Sequence, residues 1–101
     1  MTFEAFAASL AADDAPENLA LPLKALWRDG KGDWEGAHEL AGLVETAAGA
    51  LVHAYLHRKE GDINNAHYWY RLAARSPFEG SHEAEWAALA RELLATIART
   101  S

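Results

Sequence analysis

The dipeptide Gly-Asp occurs at Gly32-Asp33 and again at Gly61-Asp62, 29 residues later, each time between two stretches of helical periodicity. A glycine after a helix can take the left-handed backbone that ends it, and the aspartate that follows can accept from the free amides of the next helix. A chain punctuated in this way folds back on itself as a helical hairpin. One hairpin cannot bury its own apolar face, so such units stack.

The correspondence extends beyond the turns. Shifted by 29 residues, Ala25 meets Ala54, Ala37 meets Ala66, His38 meets His67 and Leu43 meets Leu72. The stripe Trp34, Ala37, Leu40, Ala41 and Val44 maps onto Ile63, Ala66, Trp69, Tyr70 and Ala73. The small residue at Ala37 and Ala66 lets the second helix of each hairpin approach the first closely. Periodicity and caps predict six helices. The first covers residues 3–12, capped by Thr2, with Phe3, Phe6, Ala7 and Leu10 on one face. The second covers 19–29, capped by Asn18, with Pro22 in its first turn. The others cover 34–46, 48–60, 63–75 and 82–98, the last capped by Ser81 with Trp86, Leu89, Ala90, Leu93, Leu94 and Ile97 as its stripe and Arg91 and Arg99 toward its end. The expected fold is all-α: one domain, 1–101, of two stacked antiparallel hairpins (19–46 and 48–75) flanked by N- and C-terminal helices. A solenoid and a closed bundle both satisfy this pattern. The terminal helices are expected to cap the open apolar faces, or to form a homodimer through Phe3, Phe6 and Leu10.

Composition removes several classes of function. The chain has no cysteine, which excludes disulfides, thiol catalysis and cysteine-based zinc sites. Formal net charge is −6 and the basic residues are scattered, so neither nucleic acid nor an anionic membrane is an expected partner. No apolar run is long enough to span a bilayer. The first dozen residues contain Glu4 and no Lys or Arg, unlike a secretory leader, and the expected location is the cytoplasm.

The segment Gly61-Asp62-Ile63-Asn64-Asn65-Ala66-His67-Tyr68-Trp69-Tyr70-Arg71-Leu72-Ala73-Ala74 resembles the second helix of a tetratricopeptide or Sel1-like repeat (Gly-Asp, then Ala, an aromatic pair and Ala). Asp62, Ala66, Trp69, Tyr70 and Ala73 carry the likeness. Residues 32–43 match less well, because Leu40 and Ala41 replace the aromatics, and the period of 29 is shorter than in those families. Residues 53–62 together with Tyr68-Trp69-Tyr70 also resemble a small bacterial protein family of unassigned function. The repeat resemblance implies a helical surface that binds a protein or peptide, and this non-catalytic interaction module is the leading functional expectation.

A different class of function is carried by the fourth helix. His53 and His57 are four residues apart and can share a metal ion. Glu60 follows His57 by three and can join that residue, but about 10 Å of helix rise separates it from His53, so placing all three on one ion is harder. A metal site therefore needs a further ligand from another helix, and His38 and His67 are the available histidines. Glu35-Gly36-Ala37-His38 has the Glu-x-x-His spacing of di-iron bundles, but its repeat partner, Asn64 to His67, lacks the carboxylate. On a helical wheel Arg58 lies in the most apolar arc of this helix, with His53, His57 and Glu60 opposite. Such an arginine must pair, with Asp29, Asp33, Glu60 or Asp62 as expected partners, or else hold an anion. Tyr68 points off the stripe, and with His53, His57 and Asn65 it is expected to line a groove for a peptide or small ligand; the alternative function is a metal- or small-ligand-binding site, or a His-based hydrolytic one, around His53, His57 and Glu60. Trp69 and Tyr70 read as core. No nucleophile elbow, phosphate loop or dinucleotide fingerprint is present, so no catalytic residue and no cofactor is assigned.

Overall fold

The structure, a computed structural model, describes residues 1–100, with side chains through residue 96. The positions expected for Ile97 and Arg99 lie outside those side chains. The fold is all-α, with the helices in chain order α1 (Phe3–Ala8), α2 (Leu21–Gly30), α3 (Trp34–Ala41), α4 (Ala47–Lys59), α5 (Ile63–Leu72) and α6 (His82–Thr100). A short 3-10 turn, Ser9–Ala11, prolongs α1. No helix is long and apolar enough to cross a membrane, among the described residues.

The two Gly-Asp turns have the same structure. Gly32 and Gly61 sit at φ +87° and +91°, a conformation that costs glycine little. The Asp33 carboxylate accepts from the Gly36 amide, and the Asp62 carboxylate accepts from the Asn65 amide. The Asp33 amide donates to the Arg28 carbonyl as the Asp62 amide does to the His57 carbonyl. These turns fold α3 back on α2 and α5 back on α4. Ala37 and Ala66 are buried, as the need for close approach requires.

The centre of the molecule is α4, packed against α2, α3, α5 and α6. Every residue from Gly49 to His57 is buried. The wheel gave this helix a polar side carrying His53 and His57; the structure buries that side too, because α3 and α5 cover it. A helix hydrophobic on one face and imidazole-bearing on the other has little amphipathic contrast, so the wheel could not show that both faces are interior. α6 closes the core over α2 and α4, and α1 lies on α6. Phe3 and Phe6 pack on the Trp86 ring, and Phe6 is fully buried. The side chains expected at a dimer interface are thus turned into the protein's own core, with Leu10 partly buried beside them.

Several helix ends differ from the sequence reading, and four of them have a clear local cause. α1 stops at Ala8 and tightens into the 3-10 turn. α2 begins at Leu21 because Pro22, with no N–H to satisfy, suits the first positions of a helix; Asn18 is in the left-handed region at φ +63° and not a cap. α3 ends at Ala41, where Leu43 and Val44 close 3-10-type bonds onto Leu40 and Ala41, so residues 42–46 form a loop. α5 ends at Leu72: Ala74 takes φ +57° and the Arg75 amide returns to the Tyr70 carbonyl, a Schellman-type stop reached before Pro77. Ile63, placed on the buried stripe, is about half exposed at the first position of α5.

Two buried carboxylates tie the helices together. Asp29 accepts from Tyr55 Oη at 2.5 Å and from Lys59 Nζ at 3.0 Å. Glu85 accepts from Arg58 at 3.0 Å and from the Tyr70 hydroxyl. Burial first, and the carboxylate partner second, push both phenols above the ordinary tyrosine range. Arg58 is paired, as an arginine in an apolar arc must be, but its partners are Glu85 and the Gly80 carbonyl on the α6 side; none of the four acids expected from sequence pairs with it.

Candidate metal centre

His53 and His57 stand one turn apart on α4, both buried (5% and 7% exposed). Opposite them α3 presents His38, half-buried, one turn after Trp34. The Gly-Asp turn aligns α3 against α2, and the 42–46 loop returns the chain so that α4 runs beside α3. That path places three imidazoles from two helices together. The ring centroids of His38 lie 4.9 Å from those of His53 and 5.1 Å from those of His57, edge to face in both cases. His53 and His57 are 6.0 Å apart and nearly parallel.

One ligating nitrogen from each of the three lies within 4.8 Å of the other two. Three nitrogens bound tetrahedrally to one zinc-sized ion at ~2.0–2.1 Å are roughly 3.3 Å apart, so rotations that close the cluster by up to about 1.5 Å would complete the set of three ligands. Two tryptophans wall it. Trp69 of α5 stacks on His53 at 4.0 Å and Trp34 stacks on His38 at 5.0 Å, each with an interplanar angle of 10°. Trp34 is fixed by donation from Nε1 to the Leu56 carbonyl.

The two α4 histidines are prepared differently. His57 Nδ1 lies 2.7 Å from Glu60 Oε1. In the tautomer that donates from Nδ1 to that carboxylate, Nε2 keeps its lone pair, the carboxylate–histidine arrangement common behind metal ligands. The Asn65 amide nitrogen lies 3.5 Å from both ring nitrogens of His57. His53 Nδ1 is buried with no hydrogen-bond partner, the single such side-chain atom among the described residues. Burial pushes the His53 imidazolium down to about 4, and the neighbouring His38 and His57 push in the same direction. His53 is therefore neutral at pH 7, the form that binds metal.

Of the residues singled out from sequence, His53, His57, Glu60 and Asn65 come together. His38 joins them, whereas His67 is exposed on α5 and takes no part. Arg58 points to α6, and Tyr68, half-exposed, meets the Trp69 ring edge to face at 5.3 Å, while His53 stacks on the same ring. Glu35 is exposed and outside the cluster, so the Glu-x-x-His spacing is not used. A second grouping, His57 with Glu60 and Asp62, shares the same histidine, but its carboxylates are exposed at the turn. Sequence reasoning missed the part played by Trp34 and Trp69, which it assigned to the core.

Comparison of the chain with protein-family models, with curated proteins and with solved structures finds no match.

Proposed function

We propose that this protein binds a divalent transition-metal ion through His38, His53 and His57. The observation that carries the reading is the unpartnered, buried His53 Nδ1 inside a three-imidazole cluster. An orphaned buried polar atom costs roughly 1–3 kcal/mol, and metal ligation satisfies it. The neighbours point the same way, since Glu60 orients His57 and two tryptophans stack on His38 and His53. Neutral imidazoles suit Zn²⁺, Cu²⁺ and Ni²⁺, not Mg²⁺ or Ca²⁺.

The stacked tryptophans supply the assay. Cu²⁺ or Ni²⁺ added to chelator-treated protein should quench Trp34 and Trp69 saturably at one ion per chain. Replacing His38 with alanine should abolish the quenching, and replacing exposed His67 should not. Glu60→Gln should weaken binding by about 10–100-fold, the usual cost of losing such a partner. Quenching that persists in His38→Ala would overturn the reading.

The expected protein or peptide interaction remains a second reading, favoured by one feature. Leu43, Ile63, Tyr68 and Leu72 are large apolar side chains left exposed, and a cavity of about 270 Å³ lies between Val44, Ala47, Ala50, Trp69 and Leu72. His53 and His57 are interior and do not test it. The test is a Tyr68→Ala/Leu72→Ser variant, which should lose partner capture at unchanged melting temperature; retained capture would remove this reading.

A further inference from the structure

We infer that the metal ion held here keeps one coordination position for a small exogenous monoanion. The inference rests on the three-histidine reading above. Among the described residues no fourth His, Asp or Glu atom joins the cluster of His38, His53 and His57, and the chain has no cysteine. A tetrahedral ion with three protein ligands retains a fourth site.

Charge decides what fills it. Three neutral imidazoles leave the full 2+ charge of the ion uncompensated in the first shell. The carboxylate that approaches most closely, Glu60, is engaged at His57 Nδ1, on the opposite edge of the ring from the nitrogen left for the metal. Asp62 is grouped with that same edge of the site and caps α5 through the Asn65 amide. Neither belongs to the three-histidine group. A positive ion among buried rings gains more from an anionic ligand than from a neutral one, because a net charge is costly in a poorly solvated site.

Size and access limit the anion. Trp69 covers the face of His53, Trp34 covers the face of His38, and His53 and His57 are buried. Of the three ligands only His38 is partly open to solvent, so entry is along its edge. An opening limited to one ring suits a compact anion such as hydroxide, azide or thiocyanate better than a bulky organic acid. The Asn65 side-chain amide lies beside the cluster, its nitrogen 3.5 Å from His57, and its carbonyl oxygen, turned inward, is the competing candidate for the fourth position.

Cobalt(II) distinguishes the possibilities, because its visible bands report coordination number and ligand exchange. Chelator-treated protein and its Asn65→Ala variant are loaded with one equivalent of Co²⁺ and titrated with azide and then thiocyanate. The expected result is a tetrahedral-type spectrum in both, shifted saturably by about one anion per cobalt. A cobalt spectrum that no anion changes in the wild type would overturn the inference while leaving the metal site intact; a response that appears only in Asn65→Ala would do the same and assign the position to Asn65. Failure of Co²⁺ and Zn²⁺ to bind would sink the three-histidine reading itself.

Discussion

Acidification of the metal-free protein should destabilise it through His53. In the folded chain this imidazole titrates near 4, held down by burial and by the two neighbouring histidines, whereas the unfolded chain takes up that proton at the ordinary value of 6.5. Between these two values the unfolded state binds a proton that the folded state refuses, so stability falls as pH falls. Above 6.5 the group contributes nothing to the slope, and below about 4 its effect is complete. Linkage between these values gives a loss of about 2 kcal/mol between pH 7.5 and pH 5. The assay is urea unfolding of chelator-treated protein at several pH values in that window, beside a His53→Gln variant. Carboxylates titrate in both proteins, so the difference in slope isolates His53. Any change in overall stability caused by His53→Gln leaves the test intact, because it reads only pH dependence. Parallel pH profiles for the two proteins would refute the buried, neutral imidazole at the heart of the cluster.

Other consequences follow from packing. Glu85→Ala strands Arg58 and the Tyr70 hydroxyl and should cost about 3–5 kcal/mol, as loss of one partner of a buried pair does; a shift in the urea midpoint measures it. Gly49→Ala places a Cβ 2.2 Å from the Val44 carbonyl oxygen, so this substitution should destabilise by about 1–3 kcal/mol even though alanine favours helices, and a raised melting temperature would contradict the packing of the 42–46 loop on α4. Ala74→Gly relieves the left-handed residue after α5 and should stabilise by about 0.5–1 kcal/mol in the same assay.

The hairpin turns were legible because their chemistry is local: a left-handed glycine and an aspartate three residues before a free amide need nothing beyond the segment itself. The small residues Ala37 and Ala66 were legible for the same reason. The ends of α3 and α5 were not, since periodicity continues through Val44 and Ala73 and only the need to turn the chain stops the helix. Asp29 and Glu85 lie at helical spacing on buried stripes, Glu85 four residues before Leu89 and Asp29 four after Ala25, and that position was the available sign of buried carboxylates. The metal cluster was half legible. The pair His53 and His57 shows in the spacing, and the need for a third ligand follows from geometry. The choice of His38 over His67 does not, because both occupy the same repeat position and only the side on which α3 and α5 meet α4 separates them. Arg58 shows the limit of a wheel: it required a partner and could not say that the partner is 27 residues away on α6.

The most direct test of the account is metal stoichiometry by equilibrium dialysis and elemental analysis. Untagged, chelator-stripped protein is dialysed against a slight excess of Zn²⁺, alongside His38→Ala, His53→Ala and His67→Ala, each checked for helical content. The account predicts one zinc per chain in the wild type and in His67→Ala, and none retained in His38→Ala or His53→Ala. A folded wild type that retains no zinc, copper or nickel, or a His38→Ala variant that holds as much as the wild type, would contradict it.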